Sequence, residues 1–197
     1  MHSPNSKREN EIVLILGRKG EGKTTLLKML LLERVSLGRD IVVIDPLQQF
    51  PREFSEVTYF TSDDDKENLE VLGRLYNRGS VDIFIDELDL LTTAQDSQKS
   101  ITRKLFRYAR NKDINLYSTA KRTSNINKDS LSNADILCIF KTTEGNDLKR
   151  LREVYEIDPE ELKRLNKFEY IEVNLNKGLH KKKKIDTIIL ERILKFM

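Results

Sequence analysis

The sequence predicts an α/β fold with a mainly parallel central sheet flanked by helices. Three observations carry this. Short runs rich in Ile and Val alternate with longer stretches of helical periodicity. The short runs are apolar on both faces, as strands covered by helices on both sides must be. A glycine-rich turn, Gly17 to Gly22, joins the first apolar run to the first helical stretch.

In chain order, strands are expected at Ile12–Leu16, Ile41–Ile44, Val81–Ile85, 114–118 and Ile136–Phe140, with a short extra strand at Val57–Phe60. Helices are expected at Lys23–Val35, 66–76, 98–111 and 147–155. Asp158-Pro159 reads as a cap and first turn of a short helix over 158–165, and 168–175 as a late strand. Ile185, Ile188, Ile189, Ile193 and Phe196 share one helical face, which predicts a docked C-terminal helix. The expected organisation is a flexible N-terminal arm at 1–11, a core at 12–175, and a basic segment with its helix at 176–197 packed on the same domain.

Composition narrows the function classes. The chain has 197 residues, 38% hydrophobic and 34% charged, which suits one domain with a full core. The single cysteine, Cys138, excludes an intramolecular disulfide framework and a multi-cysteine metal cluster, and reads as a small core residue. His2 and His180 have no companion at ligand spacing, which excludes a histidine-built zinc site. No apolar run approaches the ~18 residues that span a bilayer, and the polar start has no signal-peptide core. The expectation is a soluble intracellular globular protein. A net charge of +3 is a weak pointer to an anionic partner.

Gly17-Arg18-Lys19-Gly20-Glu21-Gly22-Lys23-Thr24 fits G-x-x-x-x-G-K-[ST] without a mismatch, between a strand and a helix. Glycines let successive backbone N–H groups curl around a phosphate, and the helix adds the positive end of its dipole. Lys23 places a mobile cation on the β- and γ-phosphates, and the Thr24 hydroxyl ligates Mg²⁺. Thr25 follows in the first helical turn and completes the nucleotide-binding set. Val81–Ile85 ends in Asp86-Glu87. The carboxyl ends of parallel strands meet the ligand crevice. Asp86 there supports the metal, and Glu87 deprotonates a water aimed at the γ-phosphate. A water-activating glutamate points to hydrolysis. A small-molecule kinase needs an acceptor pocket and an arginine-bearing lid, neither of which is clear in the sequence. Asp89, close behind, can be a plain acidic turn.

With these motifs in place, the sequence resembles the HerA–FtsK superfamily of P-loop motors. Within it, the compact form resembles the genome-packaging ATPases of membrane-containing icosahedral viruses, turreted archaeal viruses included. Besides Gly17–Thr24 and Asp86-Glu87, the resemblance rests on four further segments. They are Ile41–Ile44 followed by Asp45-Pro46, the segment from Arg107 to Ile114, Ser118 to Arg122, and Ser132-Asn133-Ala134-Asp135 before Ile136–Phe140. Lys121 stands where the family usually has Gln, and Gln48-Gln49 where related motors often have an acidic residue. The resemblance implies a three-layer P-loop NTPase fold of the additional-strand, RecA-like type, with the sensor strand between the phosphate-loop and acidic-pair strands. It also implies ATP and Mg²⁺ as cofactors, a homo-oligomeric ring of five or six copies with sites between subunits, and Arg110 as the finger acting on a neighbour's γ-phosphate.

Between Gln98 and Arg122 lie eight basic residues: Lys99, Arg103, Lys104, Arg107, Arg110, Lys112, Lys121 and Arg122. Lys99, Arg103, Lys104 and Arg107 are candidates for DNA phosphates, against the alternative of a solvated helix face. The loop from Thr92 to Ser100 is a positional candidate for a central pore. Lys177 and Lys181 to Lys184 form a second basic cluster that could touch DNA, a membrane or a capsid protein, or be a solvated hairpin. The first expectation is an ATPase that moves double-stranded DNA into a preformed viral capsid. It would work in the host cytoplasm or at the virion packaging vertex, with capsid or internal-membrane proteins as partners. The compact length is read as favouring packaging over larger pumps. The second is a related motor of a plasmid, repair or defence system, and the third a monomeric nucleotide-binding protein or small-molecule kinase.

Overall fold

The Ile- and Val-rich runs pair side by side in a computed structural model that describes residues 10–50, 52, 54–93, 95, 97, 99–188 and 191. The strands are β1 (Ile12–Leu16), β2 (Ile41–Ile44), β3 (Val57–Phe60), β4 (Val81–Ile85), β5 (Ile114–Ala120), β6 (Ile136–Phe140), β7 (Glu169–Asn174) and β8 (Leu179–Lys184). The helices are α1 (Lys23–Val35), α2 (Asp65–Arg78), α3 (Ile101–Tyr108), α4 (Lys128–Ser132), α5 (Gly145–Tyr155) and α6 (Pro159–Arg164). One eight-stranded sheet runs β3-β2-β4-β5-β1-β6-β7-β8. The first six strands in this order are parallel, and β7 and β8 close the sheet as an antiparallel hairpin. β5 lies between β1 and β4, the position that the resemblance implied for a sensor strand.

Strand alternation divides the core into two layers. Ile12, Leu14, Leu16, Ile83 and Ile85 face the side covered by α2, α3 and α5. Val13, Ile15, Val43, Phe84 and Tyr117 face the α1 side, against Leu26, Leu27 and Leu31. Every residue of β1, β2, β4 and β5 is buried, which explains why these strands read as apolar runs and not as alternations.

Element ends follow their caps. The Asp64 carboxylate accepts from the Lys66 N–H and starts α2 one residue before the expected position. Gly79, at φ 72°, lets the chain leave that helix, and a Cβ there would stand 2.6 Å from the Lys112 carbonyl oxygen. The helix expected over 98–111 is shorter. Ser100 caps α3 at Ile101, and the chain tightens into a 3₁₀ turn over Ala109–Lys112. Gln98 lies outside the described residues. α4, with five residues, was not foreseen, and β8 takes the hairpin reading of the lysine cluster, pairing antiparallel with β7. In the tail, Thr187, Ile188 and Glu191 are helical, but Ile188 is 63% exposed and Ile185 is buried just before the helix begins. A single docked face through both residues is therefore not observed. Ile189, Ile193 and Phe196 lie outside the described residues, as does the arm up to residue 9.

One buried charge ties α1 to the sheet. Asp82, in β4, has no exposed surface. The Arg34 Nε stands 2.6 Å from one carboxylate oxygen and the Arg39 Nε 2.7 Å from the other, and the Asn115 amide donates at 2.6 Å. Removing one partner of a buried ion pair leaves uncompensated charge. Asp82→Ala is expected to lower unfolding free energy by about 3 kcal/mol in urea titrations monitored by circular dichroism.

Candidate functional site

The site is built at the carboxyl ends of β1, β4 and β5. After Leu16 the chain turns through Gly17 (φ 140°), Gly20 (φ 85°) and Gly22 (φ 118°) before α1 begins. A Cβ at Gly17 would stand 2.7 Å from the Phe140 Cβ, and one at Gly22 2.7 Å from the Phe168 Cδ1, so both glycines are fixed by space as well as by φ. The loop is pinned from outside: the Arg18 N–H donates to the Lys141 carbonyl at 3.2 Å, and the Phe168 N–H to the Glu21 carbonyl at 3.0 Å. Gly22 offers no side-chain cap, and the first turn of α1 holds no acidic residue. The leading N–H groups and the positive dipole end are therefore uncontested by a side-chain anion. Thr25 sits half-buried in that first turn, while Arg18, Lys19 and Gly20 are exposed.

The Lys23 ammonium is folded over the loop and donates to the Arg18 carbonyl at 3.0 Å. Burial lowers its pKa, and the negative charges of Glu87, Asp86 and Asp89 work against that shift. Lys23 and the acidic pair thus belong to one electrostatic neighbourhood.

Asp86 and Glu87 are held by hydroxyls. The β4–β5 register pairs Ile85 with Ser118, so Asp86 and Thr119 come side by side. The Thr119 hydroxyl donates to Asp86 at 2.6 Å and accepts the Glu87 N–H at 2.9 Å. From the other side, the Thr24 Oγ1 stands 3.2 Å from both Asp86 oxygens. Burial raises the Asp86 pKa, opposed by the Thr119 and Thr24 hydrogen bonds. Glu87 adopts a left-handed conformation (φ 60°), which turns the chain sharply off the strand. Its carboxylate meets the Lys121 ammonium at 2.7 Å. Asp89 accepts the Lys121 N–H through both oxygens, at 3.0 and 2.9 Å, so it is more than a solvated acidic turn.

Thr119, Lys121 and Asp89 were not assigned these contacts from sequence. The signal was strand adjacency: once β5 lies beside β4, the residue after Ser118 must meet Asp86. No group of three or more His, Cys, Asp or Glu residues placed to hold a metal occurs among the described residues. There, too, no helix is long and apolar enough to cross a membrane.

Arg110 lies at the opposite end of the strands. Its guanidinium donates to Asp135 at 2.6 Å and to the Asn133 carbonyl at 3.0 Å, and the second Asp135 oxygen accepts the Ile12 N–H. Ile12 begins β1 and the phosphate loop follows its end, so at ~3.3 Å per residue β1 alone separates the two by roughly 13 Å. Arg110 is thus not brought to the phosphate loop of its own chain. Arg103 and Arg107 both pair with Asp129, while Lys99 is exposed and Lys104 half-exposed. Lys182 and Lys183 pair with Glu169 and Glu172 across the hairpin. Cys138 is buried in β6, and burial pushes its thiol pKa up.

The family model described as "Novel STAND NTPase 3" matches residues 5–69, about a third of the chain. No curated protein sequence matches. Among solved structures, the genome packaging NTPase B204 from Sulfolobus turreted icosahedral virus 2, in complex with ATP-gammaS, superposes with a TM-score of 0.77 at 17% identity. That match covers 90% of this chain and 98% of the other. VirB4 of Thermoanaerobacter pseudethanolicus gives 0.69 at 11% identity, over 93% and 91%. The pCW3 conjugation coupling protein TcpA gives 0.67 at 15% identity, over 83% of this chain and 57% of that one. The chain shares with these proteins a P-loop NTPase fold: a mainly parallel sheet flanked by helices.

The hydroxyl between the two carboxylates gives a direct test. Thr119→Val keeps the shape, leaves the Glu87 N–H without its partner and leaves Asp86 with the Thr24 hydroxyl alone. Unfolding free energy is expected to fall by about 1–3 kcal/mol, measured by chemical denaturation, the cost of one buried polar group left unpaired.

Proposed function

We propose that the chain is a Mg²⁺-dependent ATPase that works in a ring of identical copies and moves double-stranded DNA, packaging a viral genome into a preformed capsid. One observation carries the hydrolytic part: Thr24, next to Lys23 at the start of α1, stands 3.2 Å from Asp86, and the Thr119 hydroxyl joins Asp86 to Glu87, so the phosphate loop and the acidic pair meet at one place. The loop N–H groups and the α1 dipole bind the phosphate chain, and Lys23 exchanges the Arg18 carbonyl for β- and γ-phosphate oxygens. Glu87 accepts a proton from the attacking water as its oxygen bonds to the γ-phosphorus and ADP leaves. The terminal phosphate competes with Glu87 for Lys121, which frees the carboxylate to take that proton.

The residues present fit Mg²⁺. It favours oxygen donors and keeps several waters, so it needs few protein ligands. Asp86 is a buried carboxylate with both oxygens facing the Thr24 hydroxyl. Those two residues would hold the ion, which when bound neutralises charge on the β- and γ-oxygens. Arg110, placed at the far end of the strands, acts on a neighbouring copy's nucleotide after exchanging Asp135 for phosphate. Lys99 and Lys104 are the DNA-facing candidates, since Arg103 and Arg107 already share Asp129. Work at a packaging vertex in the host cytoplasm, against capsid or internal-membrane proteins, belongs to the same proposal. Likeness to B204 supports packaging. Likeness to the conjugation coupling protein TcpA supports a second reading, in which the same motor serves a plasmid system.

Glu87→Gln is expected to lower ATP turnover about 10²–10⁴-fold while ATP binding persists, measured by phosphate release and equilibrium titration. Phosphoryl transfer to a small acceptor in place of phosphate release would contradict the hydrolase. Mixing Arg110→Ala with Glu87→Gln chains is expected to restore part of the lost turnover; no rescue in verified mixed rings counts against Arg110. Double-stranded DNA is expected to stimulate turnover, with an effect that fades steeply from about 50 to 200 mM salt. Turnover indifferent to DNA across that range would remove the translocation reading.

A further inference from the structure

The geometry points to Phe168 as a stacking platform for the base of the bound nucleotide, a role that rests on the nucleotide-site reading above. The sheet order fixes which way the phosphate chain runs. Thr119, Lys121 and Glu87 all lie on the β4–β5 side of β1, so the terminal phosphate belongs on that side. The nucleoside must then leave across Gly22 and Thr25 toward the other side, where β6 and β7 lie. Because β7 runs antiparallel to β6, with Phe140 opposite Tyr170, it begins at the same end of the sheet as the phosphate loop. Phe168 is the residue just before it.

Three features suit Phe168 to a ligand and not to packing alone. Its backbone is welded to the loop and hairpin: its N–H donates to the Glu21 carbonyl at 3.0 Å, and its carbonyl accepts the Ile185 N–H at 2.9 Å. It holds φ 68°, a left-handed conformation that a bulky side chain rarely adopts and that a glycine would take freely. Such strain gathers at ligand clamps. The ring edge abuts Gly22, so it sits directly beside the loop. Yet the residue is only half-buried, and the exposed Lys167 lays its ammonium 5.1 Å above the ring centroid. A face that admits a cation from solvent admits a planar base, and the displaced ammonium is then free to pair with the α-phosphate. Stacking reads the π-face common to all bases, so the ligand class is a nucleoside triphosphate and not bare polyphosphate.

The test compares ATP with inorganic tripolyphosphate, both with Mg²⁺, on the full chain. Phe168→Leu keeps an apolar side chain against Gly22 and removes the ring. It is expected to weaken ATP binding about tenfold while tripolyphosphate binding stays within about twofold. The sequence contains no tryptophan, so Phe168→Trp introduces a single reporter. Its emission is expected to be quenched by ATP and unchanged by tripolyphosphate. Equal loss of both ligands in Phe168→Leu, or unchanged binding of both, would overturn the platform, as would identical Phe168→Trp responses to the two ligands. A wild-type chain that binds tripolyphosphate as tightly as ATP overturns the platform but leaves the phosphate site standing. One that binds neither overturns the nucleotide reading itself.

Discussion

Asp86 is the constraint around which the site is organised. A carboxylate with no exposed surface is costly unless its oxygens find partners. Here the Thr24 hydroxyl comes from the phosphate-loop helix and the Thr119 hydroxyl from β5. Those two contacts join three consecutive pieces of the sheet end, the loop after β1, the end of β4 and the end of β5. Thr119 also receives the Glu87 N–H, so the turn that aims Glu87 is set by the same hydroxyl. Burial raises the Asp86 pKa, and the two hydroxyls that hold its oxygens oppose that shift.

The sheet acts as a ruler in two directions. Along the strands, it separates the phosphate-loop end from the end where Arg110 rests on Asp135. Arg110 is therefore out of reach of its own chain's phosphate loop, which is why the proposed function assigns it to a neighbouring copy. Across the strands, the order β4-β5-β1-β6-β7 puts Thr119, Lys121 and Glu87 on one side of the phosphate loop and the Phe168 hairpin on the other. Asp82, buried between Arg34, Arg39 and Asn115, anchors α1 at the opposite strand end and so fixes the helix whose first turn carries Thr24 and Thr25.

Much of this was legible in the residues. The phosphate loop is contiguous, so Gly17 to Thr24 could be read directly, and burial on both faces made the parallel strands apolar runs. Ser100, Asp64 and Gly79 set helix ends by capping chemistry, and only their offsets differed from expectation. What could not be read depended on strand adjacency. Thr119 and Lys121 are more than 30 residues from Asp86 and Glu87, and nothing local in Ser118 to Arg122 says which carboxylate each one meets. Nor does the pattern of Arg103 and Arg107 show that a short, unforeseen α4 delivers Asp129 to both. The hairpin at β8 stayed one reading among several because consecutive lysines hide strand alternation, and Glu169 and Glu172 on its partner explain how they are accommodated.

The central claim is that Lys23 and Glu87 converge on one terminal phosphoryl group. A crystal structure of the chain with ATPγS and Mg²⁺ tests it most directly. The account predicts the γ-phosphorus between the Lys23 ammonium and the Glu87 carboxylate, with Thr24 and Asp86 on the metal side. A nucleotide bound elsewhere, or bound in the loop with Glu87 still paired to Lys121 and turned from the γ-phosphate, would contradict it.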